Sequence, residues 1–491
     1  MADPLPIDED GSDAARVLLA LKAWATHPTS FQILEAGNLY WFDPETPPPG
    51  AVVAYHECSG YRVAAGVPIA PPEAVGPVAA RFIAASQTEG FKTLFFSADD
   101  AFLEAVAAVD DAPRLDVVVI GEQPEWDPAR YTTDGPKRAN LRAQLHRARN
   151  KGVRVRTVTA EELTHAPGPV RAEIENVLRR WLDSRRMSTM AFLVDLQPFH
   201  YAAERRYYIA EHEGRAVGFL SAIPIYQRGG WFFEDVLRVP DAPNGTVELL
   251  IDAAMQDAKG RGEPFVTLGL APLAGVESQA GPHRLMRGVL RWCYEHLGAL
   301  YSFQGVRAFK ARFQPDVWRP QYLVSSPTPL GVGAFHAVLR AFAGGGLVAF
   351  GVDTARRWGA RVSPTVWSAA LWTLAALLIP WTVLLAGADG DRWFGDASIQ
   401  AAWVAFDSLM VVALAGLGGL VRWRKPMARP VALLLAGATG TDALLTAVQA
   451  ANLHRSVEGA ATFFVAAGVL GPLLATGLLV FLADALPRGR R

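Results

Sequence analysis

WFFEDVLRVPDAPNGTVELLIDAAMQDAKGRGEPFVTLG, residues Trp231 to Gly269, reads as a strand, a tight polar loop, a helix and a second strand. Trp231 to Leu237 is aromatic and β-branched, Pro240 to Asn244 break it, and Thr246 to Lys259 space Val247, Leu250, Ile251 and Ala254 as one helical face. Asn244-Gly245-Thr246 is a good helix start. The helix it opens is expected to present free backbone N–H groups and the positive end of its dipole beside Asp235 and Arg238, a setting that suits a phosphate or an ester carbonyl.

Upstream, RYYIAEHEGRAVGFLSAIPIYQRGG supplies further strands, with turns at Glu213-Gly214 and Gly229-Gly230. The same order occurs in the first third of the chain. AVVAYHE, a Ser59-Gly60 turn, YRVAAGV, a break through Pro71-Pro72, a helical run from Ala74 to Thr88 and the strand KTLFFSA repeat it without obvious identity. Together they read as a duplicated α/β unit. A helix over Leu18 to Ala25 and a loop over PETPPPG (Pro44 to Gly50) precede the first copy.

Between the copies, DGPKRANLRAQLHRARNKGVRVR crowds Lys137, Arg138, Arg142, His146, Arg147, Arg149, Lys151, Arg154 and Arg156 into one segment. On a helix these form a basic stripe of the kind that binds a phosphate backbone; the alternative is a solvated helix face. Arg179, Arg180, Arg185 and Arg186 follow as a second cluster. Over all 491 residues the net charge is only -1, so contact with nucleic acid has to come from such a local patch. Cys58 and Cys293 are the only cysteines, distant and without a CxxC pattern, which argues against a disulfide scaffold or a zinc site and suits a reducing compartment. The acidic start MADPLPIDEDG lacks the basic n-region of a cleaved signal peptide.

The character changes after Arg361. Val366 to Ala386, Ile399 to Val421, Val431 to Ala450 and Ala460 to Leu482 are apolar runs, each near the roughly 20 residues that cross a bilayer. Arg356, Arg357 and Arg361 precede the first, Arg422, Arg424, Lys425 and Arg429 fill the second connection, and Arg488, Arg490 and Arg491 end the chain. By the positive-inside rule both ends of this region, and the large N-terminal part, face the cytoplasm. Asp407 and Asp442 fall inside the spans, where a carboxylate serves an interhelical hydrogen bond or a polar path. Val332 to Val352, with His336 and Arg340, reads as an interfacial helix and linker. The expected divisions are 1–165, 166–330, 331–362 and 363–491.

GKS/T, GxSxG, HExxH and paired-cysteine motifs do not occur, which weakens NTPase, serine-hydrolase and zinc-enzyme readings. No metal or other cofactor is expected. The remaining candidates are polar residues in odd places: Asp235 and Arg238 at a strand end, Glu248 in the first turns of the helix, Glu277 after TLGLAPL, and Arg307, Lys310 and Arg312 within YSFQGVRAFKARFQPDVWRPQYLV. Each has a plainer reading: Asp235 and Arg238 as a local pair, Lys310 snorkelling between Phe309 and Phe313.

DVLRVPDAPNGTVELLIDAA, TLGLAPLAGV and FQGVRAFKARFQPDVWRPQYLV, three motifs in order, together with RANLRAQLHRARNKGVRV, resemble the catalytic region of bacterial phosphatidylglycerol lysyltransferases, the aminoacyl-phosphatidylglycerol synthases also called multiple peptide resistance factors. The likeness runs over roughly Ile33 to Val324. It implies two tandem acetyltransferase-like (GNAT) α/β folds, here followed by an all-α region of four transmembrane helices. It also implies transfer of an amino acid, lysine or alanine, from aminoacyl-tRNA to the headgroup hydroxyl of phosphatidylglycerol or a related anionic lipid, and so resistance to cationic peptides. Asp235 and Arg238 match the family's D-x-x-R signature, Asn244, Gly245 and Thr246 the loop that replaces a CoA pyrophosphate loop, and Lys310 a lysine placed after the last strands.

By residue type, Asp235 suits orienting the lipid hydroxyl or gripping the α-ammonium, and Arg238 and Lys310 suit a phosphate, the tRNA 3′ end or a developing oxyanion. Asn244, Gly245, Thr246, Glu248, Glu277, Arg307 and Arg312 complete the expected substrate site, and Arg138, Arg142, Arg147 and Arg149 the tRNA contact. The expected setting is the bacterial inner membrane, with a homo-oligomer allowed. Typical members of the family carry many membrane helices, including a flippase module, before the catalytic region. Here four follow it, which leaves flipping and the acceptor lipid open. Two competing readings are a GNAT-type N-acyltransferase using acyl-CoA and a non-catalytic membrane sensor or transport accessory.

Overall fold

The computed structural model describes residues 12–164, 168–184, 196–274, 303–327, 330–343, 346, 359, 362–453 and 460–486. The chain divides into two compact units, Met1–Arg185 with Thr189–Val348 and Arg186–Ser188 with Ala349–Arg491. In the first unit, helix α1 (Ser12–Trp24) leads into strands β1 (Leu39–Phe42), β2 (Val52–Cys58) and β3 (Tyr61–Ala65), then α2 (Val75–Thr88), β4 (Lys92–Ala98), α3 (Asp100–Ala107) and β5 (Asp116–Trp126). The β2–β3 turn has φ of 52° at Ser59 and 78° at Gly60, two successive left-handed residues that match the twist of a tight hairpin. Helix α2 buries Val78, Ala79, Phe82, Ile83 and Ser86, a stripe at helical spacing, and Phe82 meets Phe95 of β4 with ring centroids 6.1 Å apart.

The basic segment is helix α4 (Ala139–Asn150), followed by β6 (Arg154–Val158), α5 (Ala160–Thr164) and α6 (Pro169–Ser184). Strands β7 (Arg206–His212), β8 (Arg215–Ile225) and β9 (Gly230–Arg238) then form a meander, helix α7 (Thr246–Gly260) crosses over, and β10 (Val266–Thr267) and β11 (Ala271–Pro272) follow. Helix α8 (Phe303–Ala311), strand β12 (Val317–Ser326) and helix α9 (Val332–Phe342) complete the unit. Glu213 and Gly214, at φ 52° and 73°, turn β7 into β8 as Ser59 and Gly60 turn β2 into β3.

The duplication is visible in the pairing. Strand β2 is antiparallel to β3, which runs through α2 into parallel β4; β8 is antiparallel to β9, which runs through α7 into parallel β10. Each copy then adds a helix and a last strand, α3 with β5 and α8 with β12. The sheet order is β1-β2-β3-β4-β12-β5-β10-β9-β8-β7-β6, with β11 on β5. The last strands are thus exchanged: β12 of the second copy lies beside β4 of the first, and β5 of the first lies beside β10 of the second. The copies share one continuous sheet. Helix α9, expected as an interfacial linker, packs on β2 and β3 of this unit, with Ala334, Ala337 and Ala341 fully buried.

The second unit is helical: α10 (Pro364–Ala386), the short α11 (Gly390–Phe394), α12 (Ala397–Arg422), α13 (Ala428–Leu453) and α14 (Ala460–Ala485). Four of these are long and apolar enough to cross a membrane. Ser363 and Asp396 cap α10 and α12 by accepting from the amides of Val366 and Ser398. Leu434 and Leu474 are 72% and 74% exposed, so the outer faces of the bundle carry apolar side chains suited to lipid and not to water.

Candidate active site

The site begins with an irregularity in β9. Opposite β8, Ser221 pairs with Asp235 and Ala222 with Phe233, so Glu234 is an extra residue and the strand bulges there. Before the bulge Trp231 and Phe233 face α7, and after it Val236 does, while Phe232 and Leu237 face the opposite layer. The bulge therefore turns both Glu234 and Asp235 away from α7. From Asp235 on the strand alternates regularly, so Asp235 and Arg238, three residues apart, project from opposite faces. The local pair of Asp235 with Arg238, the plainer of the two readings, does not form.

Arg205, buried just before β7, organises the acidic face. Its Nη1 donates to Glu234 Oε2 at 2.6 Å and to Ser221 Oγ at 3.2 Å, and its Nε to the His200 carbonyl at 2.9 Å. Burial disfavours the guanidinium, but Glu234 and then Asp235 outweigh it and hold the group charged, above its usual range. Gln32 donates to the other oxygen of Glu234 at 2.9 Å, and the Phe31 ring lies 5.4 Å from the guanidinium. Asp235 itself is 7% exposed. None of Arg205, Glu234 and Gln32 was singled out in the sequence. The available signal was Phe-Phe-Glu-Asp itself, a break in period-two alternation that marks a bulge.

Arg238 is a loop staple: its Nη1 donates to the carbonyls of Val239, Pro240 and Ala242 at 3.3 to 3.4 Å, fixing the turn that leads into α7. The start of α7 differs from expectation. Gly245 is left-handed at φ 93° and lies so close to the Gln144 carbonyl of α4 that no Cβ would fit. Thr246 is fully buried and its hydroxyl donates to Pro243 O at 2.7 Å. Asn244 alone of the three faces solvent. The helix start is packed under α4 and is no open anion seat. Deeper in α7, Glu248 accepts from Arg312 at 3.0 Å and Asp252 from Arg149 at 2.9 Å and Tyr131 at 3.2 Å.

Lys310 lies on α8, ahead of the last strand and not after it. Its ammonium donates to the carbonyls of Leu268, Gly269 and Leu270 at 2.7, 2.8 and 2.8 Å, so it neither snorkels nor reaches solvent. Three acceptors match the three N–H bonds of a protonated amine, while burial pulls its pKa from 10.5 down to about 7. Lys310 thereby fixes the chain leaving β10, where Gly269 sits at φ 70° against the Phe232 ring. Arg307 pairs with Glu122 at 3.1 Å over the Trp318 ring, and Arg228 grips Glu125 through both nitrogens at 3.1 and 3.3 Å. Glu277 lies outside the described residues. On α4, Leu141, Leu145 and Ala148 are buried and His146 and Arg147 exposed; beyond its end Lys151 and Arg154, the first residue of β6, are exposed too. Arg142 is engaged with the carbonyls of Thr133 and Gly135 at 2.6 Å, Arg138 with Asp134 O at 3.4 Å and Arg147 with Gln144 at 3.2 Å.

Two hairpin–helix–strand copies joined in one mixed sheet make the first unit a tandem acetyltransferase-like (GNAT) protein. The chain belongs to the family described as phosphatidylglycerol lysyltransferase, C-terminal, whose model matches residues 21–325 and so takes in the bulge, the loop and Lys310. It is similar to the phosphatidylglycerol lysyltransferase of Bacillus subtilis, 26% identical over 275 residues, which are 56% of this chain and 31% of that one. It is similar also to that of a Staphylococcus epidermidis strain, 23% identical over 55% of this chain and 31% of the relative. The chain thus spans about a third of the length of the curated relatives it matches. Among solved structures, L-PGS from Bacillus licheniformis has a TM-score of 0.56 at 20% identity, covering 67% of this chain and 97% of that one. A C-terminal domain from Agrobacterium fabrum has a TM-score of 0.57 at 21% identity, covering 69% and 98%. At these identities the two structures speak to the fold alone.

Proposed function

We propose that this protein is a lipid aminoacyltransferase that moves an amino acid from aminoacyl-tRNA to the headgroup hydroxyl of phosphatidylglycerol or a related anionic lipid. The observation that carries the reading is the buried Arg205–Glu234–Asp235 cluster on the β9 bulge, inside the region matched by the family model. The names of the relatives support the lipid and the reaction class. In the step, the lipid hydroxyl oxygen attacks the ester carbonyl, a new ester C–O bond forms, the bond to the tRNA ribose oxygen breaks, and the hydroxyl proton ends on that ribose oxygen. No net redox change or nucleotide hydrolysis is involved. Asp235, oriented by the Arg205 network, accepts from the attacking hydroxyl or holds the α-ammonium. Arg238 and Lys310 act as positioning residues, one fixing the loop after β9 and the other the loop after β10.

The exposed residues His146 and Arg147 of α4, with Lys151 at its end and Arg154 opening β6, are the proposed tRNA contact. Arg138, Arg142 and Arg149 hold that face in place. The acyl-CoA reading is disfavoured by the covered α7 start, since a pyrophosphate needs those amides open. By the positive-inside rule the connection Arg422 to Arg429 and the catalytic unit lie on the cytoplasmic side.

Expression in a host without aminoacylated lipids, followed by mass spectrometry of its lipid extract, tests the reading. An adduct of an anionic glycerophospholipid is expected with the intact protein and not with Asp235→Ala, and its mass names the amino acid. With purified protein, ribonuclease should abolish formation. Absence of any adduct in both systems would refute the proposal.

A further inference from the structure

The membrane unit has a half-open cavity of about 500 Å³ that the transfer reaction does not use. Its lining includes Trp381, Trp393, Trp403, Asp407, Asp442 and Gln449, contributed by α10, α11, α12 and α13, and α14 lines it through Gly468 and Gly471. Asp407 is ten residues into α12 and Asp442 eleven from the end of α13, so at 1.5 Å per residue both lie roughly 15 Å inside the bundle. They are at one depth. The cavity occupies the half of the bundle away from the arginine-rich connection Arg422 to Arg429.

The two acids are not equivalent. Asp442 accepts from Thr446, one turn along its own helix, at 3.1 Å. Asp407 is 94% buried (6% exposed), yet has no hydrogen-bond or ion-pair partner among the described residues. The interhelical hydrogen bond expected of these acids is instead made by Trp403 Nε1 to Gln449 Oε1 at 3.1 Å, and by Thr439 with Thr476 at 2.8 Å. An unpartnered carboxylate in a membrane interior is costly unless a cation or a hydrogen-bond donor meets it. The volume decides which. A desolvated metal ion would leave nearly all of the cavity empty, and the described residues contain no group of three or more acidic, His or Cys side chains that could hold one. A space this large, mostly apolar, walled by tryptophans and carrying a carboxylate at its inner end, fits an organic ion.

We propose that this cavity binds an amphiphile bearing a protonated amine, with the ammonium at Asp407 and Asp442 and the apolar body among the tryptophans. Two sources share that chemistry: a membrane lipid with an amine-bearing headgroup, and a free alkylammonium. Binding requires no tRNA and no transfer, so it stands or falls separately from the transferase reading.

The test uses the full chain in nanodiscs of zwitterionic lipid lacking primary amines, and reads quenching of tryptophan fluorescence by a brominated dodecylammonium against the uncharged bromododecanol. A saturable component is expected for the ammonium alone, with affinity at least tenfold weaker in Asp407→Asn and retained in Asp407→Glu. Gly468→Leu fills the space beside Trp381 while leaving both carboxylates. It should abolish the saturable component, and it decides the matter if Asp407→Asn fails to assemble. Competition by a phospholipid whose glycerol headgroup carries an amino-acid ester, against one with an ethanolamine headgroup, separates the lipid sources from each other. Displacement by neither assigns the site to free alkylammonium compounds. Equal quenching by the ammonium and the alcohol, or unchanged saturation in both Asp407→Asn and Gly468→Leu, would overturn the proposal.

Discussion

The two copies of the α/β unit place the same elements in the same order and use them differently. Strands β2 and β3 pair in unbroken register, and α2 closes over them with an aromatic cluster of Phe82, Phe95 and Phe102. The corresponding strands β8 and β9 carry a bulge, and a buried arginine with two acids occupies the place where regular pairing would have put one side chain on each face. Where β3 and β4 part, the first copy leaves a cavity of only about 140 Å³ beside His27 and Asp99. Its His27 is kept neutral by burial. Where β9 and β10 part, the second copy fixes the backbone with a buried ammonium. The first copy also buries an arginine, Arg62 of β3 between Glu57 and Glu89, but there the strand pairing stays regular; the second copy interrupts β9 to set two successive acids beside its arginine.

The largest test of that contrast is catalytic. Asp235→Asn should lower lipid aminoacylation about a thousandfold, or roughly 4 kcal/mol in the barrier, whereas Asp99→Asn in the first copy should stay within about threefold. Comparable losses would mean that both copies share the chemistry. Next in size, Arg205→Met leaves Glu234 and Asp235 buried without their cation and should cost about 3 kcal/mol in denaturant unfolding of the first unit. The double change Arg205→Met with Glu234→Gln should recover part of it.

Lys310 gives an effect spread over several pH units, with a defined sign. Its folded pKa of about 7 lies below the free value of 10.5, so between these limits the unfolded chain holds the extra proton. Stability should therefore climb as pH rises from about 7 and level off above about 10.5, with a slope of at most about 1.4 kcal/mol per unit. Lys310→Met should flatten that rise, as seen in chemical denaturation across the range. Smallest is the tRNA face. Reversing Arg147 and Lys151 to Glu should raise the tRNA concentration needed for half-maximal rate about tenfold and reduce its salt dependence, with little change in kcat.

Much of this was readable from the chain because local signals agreed with the final packing. Thr246 to Lys259 has an unambiguous helical period, Trp231 to Leu237 has strand-forming aromatic and β-branched residues, the turns at Ser59-Gly60 and Glu213-Gly214 have the right residues, and the membrane helices follow from hydropathy. What could not be read were relations across the sheet. Arg205 meets Glu234 only after β7 and β9 are set on either side of β8, and Lys310 meets Leu268 only after a separation of 42 residues closes. The α7 start looked open because nothing local says that Gln144 will lie on Gly245. Arg149 belonged to the basic stripe for the same reason: its acceptor, Asp252, is brought to it only by tertiary contact.

The exchange of β5 and β12 has a consequence for how the protein is made. Strand β5 leaves the ribosome long before β12, and until Val317 to Ser326 emerge the slot between β4 and β5 stays unfilled, with two strand edges bare. Neither copy can be finished on its own. Helix α10 follows β12 in the chain, so the sheet can close before the four apolar spans emerge, and a chain that stalls before Val317 would present the cell with open strand edges.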